Sequence, residues 1–94
     1  MLNIKYSGQF RKSFKHAAKQ PSFEEDLFKF VVGELAAGHQ LDEKYRDHPL
    51  HGRHSGIKGC RECHIKPDWL LVYKVYSKDL VLYLIDIGSH SDLF

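Results

Sequence analysis

The chain has 94 residues, a formal net charge of +2 and 43% hydrophobic residues. This length predicts a single domain, residues 1–94, with one core and no room for a second. The longest apolar run, residues 80–85, is too short for a membrane span, and the first residues lack the apolar stretch of a signal peptide. We therefore expect a cytoplasmic protein that does not bind membranes.

Positive and negative charges are segregated along the chain. The net charge is +5 for residues 1–20, −5 for residues 21–43, +4 for residues 44–66 and −2 for residues 67–94. Two basic stretches can present one positive face to a polyanion such as RNA. A solvated helix face and a charged loop would explain the same pattern.

The first twenty residues predict a strand followed by a basic helix. Residues 1–6 alternate weakly between apolar and polar side chains. Apolar residues from Phe10 to Ala18 then recur at helical spacing among arginine and lysine, and Pro21 ends the helix or opens the next turn.

A second helix and a long loop follow. The run from Ser22 to Glu25 fits a capping box, and Gly38 is a natural stop, so the two helices form a hairpin. Residues 39–59 are polar and without a sustained period, which predicts a long loop with one short turn or strand in it.

Three strand-like runs complete the chain, at residues 60–66, 69–76 and 80–87. The connections between them are short enough for antiparallel hairpins. The sequence therefore predicts an α+β fold, in which a small antiparallel sheet carries the N-terminal helical hairpin on one face.

The two cysteines raise three alternatives to a plain core. The run from Cys60 to His64 matches the pattern of haem attachment, and His51 and His54 could complete a zinc site with both thiolates. In a strand, however, Cys60 and Cys63 point to opposite faces, which disfavours zinc and a disulfide. Haem attachment normally follows export, which the sequence does not predict. We expect no metal and no cofactor, and interpret the cysteines as small apolar residues.

Three histidines, His48, His64 and His90, lie in polar contexts that suit RNA cleavage without metal. That reaction needs a base for the 2′-OH proton, an acid for the leaving 5′-oxygen and cations beside the phosphate, and imidazole can fill both proton-transfer roles near neutral pH. Strand alternation predicts an accessible His64, with Asp68 close enough to orient its ring. Trp69 offers a face on which a base can stack, although tryptophan at a strand start is more often core. Spacing alone does not show that His48 and His90 meet.

Several runs resemble the YafQ branch of the RelE/ParE toxin superfamily. They are Tyr45-Arg-Asp-His-Pro-Leu50, Arg61-Glu-Cys-His-Ile-Lys-Pro-Asp-Trp-Leu-Leu-Val-Tyr73 and Gly88-Ser-His-Ser-Asp-Leu-Phe94. The opening Tyr6-Ser-Gly-Gln-Phe10 is similar to the first strand-to-helix junction of that family. The motifs agree in order and spacing over essentially the whole chain.

The resemblance implies a RelE-like fold and the toxin of a type II toxin–antitoxin system, a ribosome-dependent endoribonuclease that cleaves messenger RNA and is silenced by an antitoxin. Its partners would be the antitoxin, the ribosome and mRNA. By position, His48, His64, Asp68 and His90 match the residues of proton transfer, with His90 as acid, His64 and Asp68 on the base side, and His48 in support. The 2′-oxygen would attack phosphorus and leave a 2′,3′-cyclic phosphate. Trp69 and Phe94 match residues that hold or position RNA.

One position departs from the family pattern. Relatives commonly carry an arginine two residues before the glycine of the Gly-Ser-His ending, where this chain has Asp86. Losing such a contact with the transition state typically costs ~3–4 kcal/mol, or ~100- to 1000-fold in rate. Arg53, Arg61 or Lys66 would then have to supply the cation that binds RNA phosphate. The chain is expected to be an endoribonuclease of reduced activity or, alternatively, a non-catalytic toxin that binds a protein target, as the ParE branch does, or only its antitoxin.

Overall fold

The computed structural model describes residues 1–50 and 58–93, which form one five-stranded sheet and three helices. The strands are β1 (Asn3–Tyr6), β2 (His48–Pro49), β3 (Arg61–Lys66), β4 (Trp69–Tyr76) and β5 (Val81–Gly88), and the helices are α1 (Gly8–Ala17), α2 (Glu25–Ala36) and α3 (His90–Leu93). A 3₁₀ turn, Glu43–Tyr45, precedes β2. The predicted α+β class and the helical hairpin are confirmed. None of the helices in the described ranges is long and apolar enough to span a bilayer.

The sheet is mixed, with the strand order β1-β5-β4-β3-β2. Strands β2 to β5 pair antiparallel, but β1 runs parallel to β5, with Asn3 opposite Val81 and Tyr6 opposite Leu84. The prediction of a purely antiparallel sheet is therefore wrong at this edge. Short turns force antiparallel pairing only between strands that follow each other in sequence, and most of the chain separates β1 from β5.

Helices α1 and α2 cover one face of the sheet. Ser7 caps α1, since its hydroxyl accepts from the Phe10 amide at 2.9 Å, and the same hydroxyl donates to the Ile85 carbonyl at 2.6 Å. The rings of Phe10, Phe14 and Phe28 pack together with centroids 5.2–6.1 Å apart. These contacts join both helices to the largest apolar cluster of the described residues.

The predicted capping box of α2 is wrong. The helix begins at Glu25, and the preceding Glu24 makes no side-chain cap. The Ser22 hydroxyl instead accepts a hydrogen bond from the Trp69 indole nitrogen at 3.1 Å. Gly38 ends the helix as predicted, in the left-handed conformation with φ +81°.

The opposite face of the sheet carries a smaller apolar cluster. Its members are Cys60, Val72 and Ile85, with Leu50, Tyr83 and Leu93 packed against them. Alternation in β3 directs Cys63 into the helix-covered cluster and Cys60 into this one, as the sequence predicted. Because the two thiols lie on opposite faces, they cannot share a metal ion. Burial raises the pKa of the Cys63 thiol far above its usual value, which keeps it neutral. The proposed zinc partners His51 and His54 lie outside the described residues.

Candidate active site

His48 lies on β2, directly opposite Glu62 of β3. Its Nε2 is 3.3 Å from the Glu62 Oε1 atom, and its Nδ1 is 2.9 Å from the Pro49 carbonyl oxygen. A carbonyl only accepts hydrogen bonds, so Nδ1 carries the proton of this contact. Nε2 therefore faces the carboxylate.

His64 reaches the same carboxylate oxygen from β3 itself. Its Nε2 lies 3.7 Å from Glu62 Oε1, and its Nδ1 lies 3.4 Å from the Pro67 carbonyl. The ring centroids of His48 and His64 are 6.2 Å apart. The structure thus brings two of the predicted histidines together. His64 is less accessible than predicted, with 9% of its surface exposed.

Glu62 is the functional candidate that sequence reasoning missed. It is 4% exposed, and within the part of the chain that the structure describes its Oε2 atom has no hydrogen-bond partner. A buried carboxylate oxygen without a donor is costly, and a neutral imidazole whose Nδ1 is protonated offers only a lone pair at Nε2. The free Oε2 atom therefore favours a substrate hydroxyl or a cation beside this cluster. Alternation had placed Glu62 beside His64, but the pairing with His48 is not visible in the sequence.

His90 follows β5 by two residues, and the end of β5 is aligned with His64 across the sheet. His64 pairs with Leu70, which pairs with Gly88, so Gly88 lies two strands or about 10 Å from His64. α3 begins directly after Ser89, whose amide donates to the Asp92 carboxylate while its hydroxyl accepts from the Asp92 amide. A Cβ atom on Gly88 would lie 3.0 Å from the Asp92 Cβ, so glycine permits this close approach. The side chain of His90 lies outside the described part of the structure.

Asp68 and Trp69 lie where β3 turns into β4, at the rim of the sheet, and the proton-transfer role expected of Asp68 stays a prediction. Asp68 is exposed in the turn between β3 and β4, and the carboxylate that contacts both histidines is Glu62. Trp69 is 4% exposed and packs edge-to-face on Phe23 at 5.3 Å. This burial agrees with the alternative of a core tryptophan, and the RNA-binding role of Trp69 stays a prediction.

The predicted RNA-binding cations have protein partners where they are described. Arg61 Nε donates to Asp47 Oδ1 at 3.2 Å, and Lys66 Nζ lies 2.8 Å from Glu24 Oε2. Arg53 and Phe94 lie outside the described residues, so the predictions for them stay predictions.

Asp86 is buried at the junction of β5 with α1. Its Oδ1 accepts hydrogen bonds from the Ser13 hydroxyl at 2.6 Å and the Ile87 amide at 2.8 Å. The Asp86 carboxylate therefore joins β5 to α1 through Ser13.

The class of this protein, a toxin of type II toxin–antitoxin systems, follows from comparison with known families. Residues 2–94 match the family model described as a bacterial toxin of type II toxin–antitoxin systems, YafQ. The chain therefore belongs to the YafQ family, which confirms the resemblance and the toxin prediction.

Individual relatives agree with this assignment. The mRNA interferase toxin YafQ of Escherichia coli (strain B / BL21-DE3) is 37% identical over 92 residues, which are 98% of this chain and 95% of that protein. A metal-bound toxin from Helicobacter pylori is 46% identical, with a TM-score of 0.88 and full coverage of both chains. The E. coli DinJ–YafQ complex matches with a TM-score of 0.85 and 36% identity, over 100% of this chain and 99% of that one.

Proposed function

We propose that this toxin is an endoribonuclease that cleaves messenger RNA on the ribosome, in the cytoplasm. The observation that supports it best is the convergence of His48 and His64 on one carboxylate oxygen of Glu62. Two imidazoles and a buried acid provide proton transfer and positive charge without a metal. The similar E. coli proteins are named mRNA interferase toxins.

In the proposed reaction, His64 accepts the proton of the 2′-hydroxyl at Nε2 while the 2′-oxygen forms a bond to the adjacent phosphorus. Glu62 stabilises the imidazolium that results, and takes the place that the sequence assigned to Asp68. Protonated His48, paired with Glu62 at 3.3 Å, adds positive charge beside the phosphate. The bond from phosphorus to the 5′-oxygen breaks, and the products are a 2′,3′-cyclic phosphate and a 5′-hydroxyl.

His90 is proposed as the acid that protonates the leaving 5′-oxygen. The pairing of His64 with Leu70 and of Leu70 with Gly88 supports this role. It places Gly88, two residues before His90, about 10 Å from His64. Histidine side chains that extend from these two backbone positions could reach the two oxygens of one phosphate. Arg53 is the proposed phosphate contact among the predicted cations, since Arg61 and Lys66 already pair with carboxylates.

The test compares His64→Gln and His90→Ala with the control His39→Ala. His39 is exposed just after α2 and pairs with Glu34, away from the histidine cluster. The first two variants should relieve growth arrest and stop cleavage of ribosome-bound message, while the control should behave like the unchanged toxin. Mapped ends should carry 2′,3′-cyclic phosphate.

Two outcomes would contradict the proposal. Equal cleavage of naked RNA would exclude ribosome dependence. Growth arrest with DNA damage and intact message would instead favour the non-catalytic alternative. Asp86 supports that alternative, because its negative charge would repel the negatively charged transition state.

We also propose that a cognate antitoxin binds the helix-covered side of the toxin. A groove of about 730 Å³ lies between β1, α1 and α2, on the face opposite the histidines. Its apolar floor includes Tyr6, Phe10, Phe14, Phe28 and Val32. Two of the similar E. coli structures are complexes of YafQ with DinJ.

The rim of this groove is positively charged, which indicates a negatively charged partner. Arg11, Lys15 and Lys29 line it, and among the described residues Lys29 is the one of the three with an ion-pair partner, Glu25 at 3.2 Å. A second copy of the chain would bring like charges together. An acidic amphipathic segment of the antitoxin is complementary in both charge and apolarity.

Charge reversal tests this interface. Lys15→Glu should weaken binding of the purified antitoxin at least tenfold by calorimetry, a change of about 1.4 kcal/mol. Lys78→Glu, in the distant β4–β5 turn, is the matched control. Unchanged affinity for Lys15→Glu would contradict this docking surface.

A metal ion is the second candidate occupant of the histidine cluster. The ligand atoms of His48, Glu62 and His64 all lie within 4.8 Å of one another, and backbone carbonyls orient both Nδ1 atoms. Ligand atoms around tetrahedral zinc lie about 3.4 Å apart, so small shifts would suffice. A similar H. pylori toxin is metal-bound.

Bound metal would occupy the imidazole lone pairs that proton transfer needs, so we propose that it inhibits cleavage. Titration with zinc should give one binding event, absent from His64→Gln, and a chelator should restore activity. Equal binding by the variant would contradict this site.

A further inference from the structure

The chain that carries His48 has little backbone pairing of its own. β2 contains two residues, both exposed, and within residues 1–50 and 58–93 it pairs with β3 alone. Arg46, just before it, adopts the left-handed conformation with φ +47°. Such a short edge strand is marginal alone, yet His48 must hold its ring within 3.3 Å of Glu62.

Asp47, the residue before His48, ties this segment to the sheet through one oxygen atom. Its Oδ1 accepts a hydrogen bond of 2.6 Å from the Tyr73 hydroxyl and one of 3.2 Å from Arg61 Nε. Arg61 and Tyr73 are opposite each other on β3 and β4. The carboxylate is therefore held by two neighbouring strands, and both contacts are strengthened by its charge.

Tyr73 provides the more rigid of the two contacts. It is 1% exposed and packs in the large apolar cluster beneath the helices. Burial, and then the hydrogen bond to Asp47, raise the pKa of Tyr73 well above its ordinary value. The hydroxyl therefore remains a donor at every pH at which the toxin works.

We infer that Tyr73, Asp47 and Arg61 form a positioning network that holds His48 against Glu62. Because Asp47 and His48 are adjacent, a shift of the Asp47 carboxylate moves the His48 backbone with it. Arg61 then acts through Asp47, whereas the sequence assigned it to RNA binding. The catalytic part of this inference rests on the proposed ribonuclease function.

Tyr73→Phe removes one hydroxyl and little else. Misplacing a catalytic group by about 1 Å can cost up to about 100-fold in rate, so kcat on ribosome-bound message should fall about 10- to 100-fold, with KM within about twofold. In the free protein, the NMR resonances of the His48 ring should move more than those of His64. Asp47→Asn, which retains an acceptor oxygen, should keep more activity than Asp47→Ala.

The stability control is Val31→Ala, a fully buried site on α2 far from β2 in the chain. It should lower the unfolding temperature without moving the His48 resonances or the rate at a temperature where it is folded. If Tyr73→Phe does not fold, Arg61→Gln tests the same network from β3.

Unchanged kcat and unchanged His48 resonances in Tyr73→Phe would overturn the inference, and so would a loss of activity that Val31→Ala reproduces. A shifted His48 ring in a protein that cleaves no message would support the positioning network and contradict the ribonuclease proposal.

Discussion

The face of the sheet that α1 and α2 cover buries a large, almost entirely apolar cluster, whereas the face with the histidines buries a small one beside Glu62 and His64. The first face gains stability from apolar area, since every side chain in it prefers to leave water. The second face keeps an ionisable pair in a dry setting, with one carboxylate oxygen lacking a partner among the described residues. Stability should therefore respond mainly to mutations on the helix-covered face and chemistry to mutations on the histidine face, apart from Tyr73, which contacts Asp47 from the helix-covered cluster.

The largest effect expected on activity comes from the histidine face. Removing a positioned acid or base typically costs about 10²- to 10⁴-fold in rate. His64→Gln should reach this range in single-turnover cleavage of ribosome-bound message, while its urea midpoint stays close to that of the unchanged protein. Normal cleavage by this variant, or a loss of activity caused only by unfolding, would contradict the claim that the histidine face acts in catalysis rather than in stability.

The helix-covered face should show the reverse behaviour. Leu71 is fully buried there, so Leu71→Ala should lower the free energy of unfolding by about 2–5 kcal/mol in urea denaturation. Leu80→Ala, at an exposed position, is the control and should change it by less than about 0.5 kcal/mol. Activity at low temperature should survive in both.

The stability of the protein at high pH should depend on Cys63, which lies in the helix-covered cluster. Burial raises the pKa of Cys63 above its unfolded value of 9.0, so above about pH 9 the unfolded state releases a proton that the folded state keeps. This contribution to stability is complete below pH 9. It is lost as pH rises further, by up to about 1.4 kcal/mol per pH unit. Cys63→Ala should flatten the decline between pH 9 and 11 in urea titrations, and an unaltered slope would count against the buried neutral thiol.

The smallest effect on stability is expected at the ion pair of Lys66 with Glu24. Both side chains are partly exposed, and such pairs contribute at most about 1 kcal/mol. Lys66→Ala should therefore change the unfolding midpoint very little. Weaker binding of this variant to ribosome-bound message would support the predicted RNA contact of Lys66. Unchanged binding would contradict that contact and leave the ion pair with Glu24 as the role of Lys66.

The sequence predicted the features that depend on local periodicity. The recurrence of Phe10 and Phe14 indicated α1, and the alternation from Cys60 to His64 separated the two cysteines onto opposite faces. The direction of β1 and the start of α2 depend on partners distant in the chain. In particular, the indole of Trp69 takes the Ser22 hydroxyl that a local motif assigned to a helix cap.

The site was predicted only in part for the same reason. His48 and His64 were identified, but the acid that joins them is buried by a strand pairing between residues 48 and 62. Alternation shows on which face Glu62 lies and carries no information about what covers it. Asp68 lies in the turn between β3 and β4 and is exposed.

The central claim is that Glu62, with His48 and His64, forms the reacting centre. The most direct test compares Glu62→Gln with Asp68→Asn in the same ribosome–message complex, since both substitutions remove one charge at nearly constant shape. We expect Glu62→Gln to slow single-turnover cleavage about 100-fold, the lower part of the range for acid–base groups, and Asp68→Asn to stay within about threefold of the unchanged toxin. The opposite ranking would contradict the account.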